Sequence, residues 1–109
     1  MSKKIKVTAS RGNVFADLGL IDAEEALAKA EIASRICAII AESKLSQTRA
    51  AAILGIDQPK ISSLMRGRLE GFSSDRLFRF LNALDRDVEI VIKPKKRGAE
   101  HGRVRVVAA

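Results

Sequence analysis

The segment "SQTRAAAILGIDQPKISSLMRG", residues 46–67, constrains this chain more than any other. It reads as two short helices with almost no loop between them. Ser46 and Asp57 each stand where a side-chain oxygen can cap a helix N-terminus. Gly55 closes the first helix because it adopts left-handed backbone without strain, and Gly67 stops the second. Pro59 falls in the first turn of the second helix, where its missing N–H has no intrahelical partner to lose. Ala50, Ala51, Ile53 and Leu54 form the apolar side of the first helix; Ile61, Leu64 and Met65 form that of the second. The small side chain of Ala51 lets the two helices cross at close range. A turn this tight sets a steep angle between them and leaves the polar face of the second helix exposed.

Around this pair the sequence places three further elements. Asp22 is expected to cap a long helix, "DAEEALAKAEIASRICAIIAES", rich in strong helix formers. Ile32, Ile36, Ile39 and Ile40 repeat at helical spacing and predict one buried stripe, flanked by Cys37 as a small buried hydrophobe. Ser73 or Ser74 can cap another helix, "DRLFRFLNALD", whose inner face is Leu77, Phe80, Leu81 and Leu84. The period then changes. Val88, Ile90 and Ile92 alternate with Glu89, Val91 and Lys93 until Pro94, which is a strand signal. A lone strand needs a partner. The candidates are "IKV" near the start, "RVRVV" near the end, or the same strand of a second subunit.

The expected fold is mainly α: a compact bundle of four to five helices with a helix-turn-helix and a C-terminal β-strand used in dimerisation. The expected boundaries are an N-terminal arm over 1–21, the helical domain over 22–86, a dimerisation strand over 87–93 and a basic flexible tail over 94–109.

Charge is distributed unevenly. Of the net +7, residues 1–11 carry +4 and residues 93–109 carry +5. Between them, residues 12–43 carry −4, residues 44–79 carry +4 and residues 80–92 carry −2, so the positive block coincides with the short helical pair. That pattern suggests one face for an anionic partner and another for something else. The single cysteine permits no internal disulfide, no apolar run approaches the ~20 residues of a membrane span, and the basic N-terminus lacks the apolar run of a signal peptide. A cytoplasmic, nucleoid-associated protein with no membrane contact is expected. One His, one Cys and no phosphate-binding glycine loop leave no basis for a metal centre, a cofactor or an enzyme.

In a helix-turn-helix the first helix crosses the phosphate backbone and the second enters the major groove, with its first residues on base edges. Here those residues are Gln58 and Lys60, which can pair with adenine and reach guanine acceptors respectively. Ser62 and Ser63 are short donors for bases or phosphates. Arg66 and Arg68 flank the far end, where phosphates are expected. The bland alternative is a helical corner with a solvated polar face. The agreement of caps, small Ala51, Gly55, Ile61 and the positive block favours DNA.

The residues Ser46, Gln47, Ala51, Leu54, Gly55, Ile56, Ile61, Leu64 and Gly67 resemble the Cro/repressor-type (XRE) helix-turn-helix family, with its lambda-repressor-like fold. The wider pattern, "GNVFADLG", an Ala/Glu helix, the helix-turn-helix and "VEIVIKP", is similar to HigA-like antitoxins of that family over roughly residues 12–94. The resemblance implies that Gln47, with Thr48 beside it, meets phosphate, and that Gln58, Lys60 and Ser63 lie at or near the bases. Pro59 departs from the polar residue many relatives carry there. It implies a sequence-specific repressor that binds a near-palindromic operator in double-stranded DNA as a homodimer through Val88, Ile90 and Ile92. It also implies the antitoxin role of a type II toxin–antitoxin pair that autoregulates its operon. The partner would be a basic RelE/HigB-like toxin, held through Val14, Phe15 and Leu18 in the acidic N-terminal third. A free-standing XRE regulator and a protein-interaction module that binds no DNA are the alternatives.

Overall fold

The computed structural model describes residues 14–108, with the side chains of residues 23–108. Four helices follow one another: α1 over Val14–Glu42, α2 over Gln47–Leu54, α3 over Gln58–Met65 and α4 over Ser74–Ala83. α1 spans 29 residues and begins at Val14, so Asp22 lies inside it rather than at its cap. Residues 14–21 therefore continue the helix instead of belonging to a separate arm. The segment contains no proline, and the one glycine within it, Gly19, weakens a helix by only ~1 kcal/mol, which the flanking Ala and Leu residues tolerate. The remainder of the expected arm, residues 1–13, lies outside the described residues.

The caps form as their chemistry dictates. Ser46 Oγ accepts from the Arg49 N–H at 3.1 Å, Asp57 Oδ1 from the Lys60 N–H at 2.9 Å, and Ser73 Oγ from the Arg76 N–H at 3.2 Å. Each satisfies an amide that the helix itself leaves without a partner. All four helices end in the same way, on a residue with positive φ: Lys44 at 57°, Gly55 at 71°, Gly67 at 77° and Asp85 at 64°. The next amide in each case bonds back into the last turn, Leu45 to the Ile40 carbonyl, Ile56 to Ala51, Arg68 to Ser63 and Arg86 to Leu81. These closures let the chain reverse direction within two or three residues.

The core is aliphatic. Ile32, Ile36 and Ile40 of α1 pack with Ala50, Ala51 and Leu54 of α2, Ile61 and Leu64 of α3, and Leu77, Phe80 and Leu84 around α4. Ile36, Ile40, Ile61, Leu64 and Leu77 are fully enclosed. Phe72 is buried beside Phe80 in an edge-to-face pair with centroids 5.9 Å apart. Ile39, Met65 and Leu81 lie half-buried at the margin. Ile53 departs from the expected pattern: α2 is short, Ala50, Ala51 and Leu54 already fill its inner face, and Ile53 is left exposed. Cys37 is also only half-buried, with its Sγ 3.8 Å from the Leu64 carbonyl, and partial desolvation raises its thiol pKa.

After α4 the described chain contains no β-ladder. Among the described residues the strand expected over 87–93 has no partner, in "RVRVV" or elsewhere; the other candidate, "IKV", lies outside the described residues. Val88 is half-buried, while Ile90 and Ile92 stand 71% and 92% exposed. Within residues 94–108, part of the expected basic flexible tail, the chain turns back. The Ala99 amide bonds to the Lys96 carbonyl at 3.1 Å, and Gly98 supplies φ of 87°. His101 and Val104 then meet Glu24 on α1, and Val106 packs half-buried against the core. This return is a tertiary pairing across 77 residues, which no local pattern announces.

Candidate nucleic-acid interface

α2 and α3 are each eight residues long. Helices this short are unstable alone. Their position comes from packing: α2 through Ala50, Ala51 and Leu54, α3 through Ile61 and Leu64. With those two residues turned inward and Met65 at the margin, the polar side of α3 points away from the core. Gln58, Pro59 and Lys60 are exposed, and Ser62 and Ser63 are half-exposed. Asp57, the acid nearest this face, is engaged in capping α3.

The sequence-derived DNA residues fall into two groups. Gln58 Nε2 stands 3.5 Å from Gln47 Oε1, so the start of α3 and the start of α2 share one edge of the surface. That distance is the outer limit of a hydrogen bond and contributes little by itself. It does bring the expected base reader beside the expected phosphate contact, with Thr48 exposed next to them. Arg66 and Arg68 lie just past the other end of α3, exposed and without an ion pair among the described residues. Pro59 stands exposed beside them and presents no N–H donor.

Two basic residues that the sequence reading passed over shape this second group. Lys29 Nζ donates to the Leu69 carbonyl at 3.4 Å, from α1 across to the loop after α3. Arg76 donates to the Gly71 carbonyl at 3.4 Å, and its guanidinium lies 5.5 Å from the Phe72 ring centroid and 5.8 Å from that of Phe80. Both hold the loop that carries Arg68. The i+4 spacing of Phe72, Arg76 and Phe80 offered a sequence signal for the second; the first has none.

The remaining expected sites are elsewhere. Val88, Ile90 and Ile92 follow α4 in a segment without a strand partner among the described residues. Val14, Phe15 and Leu18 have helical backbone in α1, and their side chains lie outside the described residues. Among the described residues no group of His, Cys, Asp or Glu could hold a metal ion, and no helix is long and apolar enough to cross a membrane.

Comparison with known proteins agrees with this geometry. Residues 14–93 match a family described as a helix-turn-helix domain. A solved structure assigned by name to the XRE family of transcriptional regulators superposes with a TM-score of 0.77 at 53% sequence identity, covering 81% of this chain and 99% of that one. Comparison with curated proteins gives no match. With a short turn between α2 and α3, a polar outer face on α3, a family match across most of its length and a relative this similar, the chain belongs to the XRE-type helix-turn-helix family of DNA-binding transcriptional regulators.

Proposed function

We propose that this protein is a sequence-specific transcriptional repressor that binds a near-palindromic operator as a homodimer. The observation that carries the reading is the outer face of α3. Gln58, Lys60, Ser62 and Ser63 form an acid-free polar surface, with Gln47 and Thr48 at one border and Arg66 and Arg68 at the other. Side chains able to read base edges thus lie between side chains suited to phosphates. Two copies of α3 about one helical turn apart, ~34 Å, would meet two half-sites. The test is titration of the promoter region of the protein's own gene against the full chain, with scrambled DNA of equal length as the control. Equal affinity for both would overturn operator recognition.

Dimerisation is assigned to residues 88–93. An alternating segment with Ile90 and Ile92 exposed and its backbone unpaired among the described residues has a natural mate in its two-fold copy, since twofold dimers are the commonest assemblies. Ile90→Asp would place charge in that seam. Sedimentation at low micromolar concentration should show the native chain as a dimer and the variant as a monomer with weakened DNA binding. A variant that remains dimeric would refute the assignment.

The antitoxin role of a type II pair is the finer reading. It rests on the −4 charge of residues 12–43, now largely a single helix, and on the resemblance to HigA-like antitoxins. A basic RelE/HigB-like toxin would bind along α1, with Val14, Phe15 and Leu18 as apolar anchors, and this chain would inhibit it by occlusion without catalysis. Co-expression with a basic toxin encoded beside it tests this. Neutralisation that persists in a chain starting at Ile32 would overturn it.

A further inference from the structure

The C-terminal segment makes a contact that DNA binding does not require. Glu24 lies in the N-terminal half of α1, and both of its carboxylate oxygens are taken by residues 77 and 80 positions away. His101 Nε2 donates to Oε2 at 2.8 Å, and the Val104 amide donates to Oε1 at 3.1 Å. One side-chain hydrogen bond and one backbone hydrogen bond to the same carboxylate hold the peptide at two points, and so fix its direction along the helix. On one side of these points Gly98 and the Lys96–Ala99 bond reverse the chain; on the other Val106 is packed against the core. Charge favours the arrangement. Residues 93–109 carry +5, with Arg103 and Arg105 in the docked stretch, and segment 12–43, most of which is α1, carries −4.

We propose that residues 101–106 are an intramolecular strap on α1, and that the surface beneath it, centred on Glu24, is a docking site for an extended basic peptide segment of a partner protein. The strap shows what such a segment needs: a donor for each carboxylate oxygen, one of them a main-chain amide that any sequence supplies, and cationic side chains beside an acidic helix. A partner with that chemistry must displace the strap to reach α1. Partner binding and strap release are therefore one equilibrium, and anything that loosens the strap strengthens the partner. The choice of α1 as the partner's face rests on the antitoxin reading; the strap does not.

The test uses the full chain in native, Glu24→Ala and His101→Ala forms. Hydrogen exchange should show the Val104 amide protected at least tenfold relative to the amides of residues 95–98 in the native protein. In both variants that protection should fall to near the level of residues 95–98, while α2 and α3 remain unchanged. Equal exchange of the Val104 amide in native and Glu24→Ala protein would overturn the strap. A fluorescent synthetic peptide of residues 99–108 serves as the basic probe. It should bind His101→Ala several-fold more tightly than the native chain and should fail on Glu24→Ala. Equal binding to native and His101→Ala protein would overturn the competition. A chain that passes both arms yet neutralises no basic toxin would refute the antitoxin reading and leave the strap intact.

Discussion

The two ends of α3 should respond differently to substitution, and the size of each response follows from where the residues sit. Gln58 is exposed at the first turn, so its loss leaves folding within about 0.5 kcal/mol of native. If it reads a base, Gln58→Ala forfeits roughly 1–3 kcal/mol per half-site, a factor of about 5–150, and up to the square of that for a dimer on two half-sites. Binding to scrambled DNA is unaffected, so the gap between operator and scrambled DNA narrows. Arg66 and Arg68 are exposed and carry no ion pair among the described residues, so their double alanine variant also folds. Each lost phosphate contact flattens the dependence of log K on log salt by about 0.9. Two per subunit and two subunits give roughly 3.6, so between about 50 and 200 mM salt the variant would lose on the order of a hundredfold less affinity than the native dimer. Both DNAs should weaken about equally, with the gap unchanged. Fluorescence anisotropy of Gln58→Ala, Lys60→Ala, Ser63→Ala and the arginine pair on both DNAs at several salt concentrations separates the classes. If none of the three α3 variants narrows the gap, α3 is not the reader. Because Gln47 stands 3.5 Å from Gln58, the variant lacking both should also depart from additivity by about 0.5 kcal/mol or more on DNA.

The helix ends give a reciprocal pair. A Cβ at Gly55 meets no atom within 4 Å, so Gly55→Ala tests backbone strain alone and should destabilise by roughly 1–2 kcal/mol. Lys44 already bears that strain at φ 57°, and Lys44→Gly should raise the thermal midpoint, by up to about 1 kcal/mol of stability; a lowered midpoint would refute this account. Ile61→Ala removes a fully enclosed side chain and should cost about 2–5 kcal/mol, lowering the midpoint by roughly 10 °C or more and taking operator binding with it. The His101 hydrogen bond, followed by the Val104 amide, holds the Glu24 pKa below its ordinary 4.5. A carboxylate depressed in the folded state favours the docked tail above that ordinary value and ceases to do so as pH falls through the depressed one. The Val104 amide should thus be released to its free-peptide position only below pH 4.5; a release complete above that value would contradict the pairing.

Much of the helical core was legible because its determinants are local. Ser46, Asp57 and Ser73 cap within three residues of themselves, and Ile32, Ile36 and Ile40 recur at the helical period. The same locality explains what was missed. Asp22 looks like a cap when judged by itself, yet α1 runs through it. Ile53 satisfies the hydrophobic pattern of α2, but two turns have room for only one inner face. Lys44 and Asp85 terminate helices in a conformation that usually calls for glycine, so nothing in their identity marks the ends of α1 and α4. The return of the tail depends on a glutamate and a histidine 77 residues apart. Of the proposed DNA face, residue types and order could be read from the sequence; the closeness of Gln47 to Gln58 and the anchoring of the following loop by Lys29 and Arg76 could not.

The length of α3 has a consequence for how such a protein can change. Eight residues fall below the ~12–15 at which a helix is even marginal in water, so α3 exists because Ile61 and Leu64 are clamped from behind. Its outer side chains take almost no part in that clamp. Gln58, Lys60, Ser62 and Ser63 can therefore be exchanged for other helix-compatible residues with the scaffold unaltered. Under the proposed readout, each exchange would retune which bases are preferred. Folding and target choice would then be inherited through separate sets of positions on one short helix, and a lineage could drift to a new operator by substituting these four residues, with no compensating change in the core.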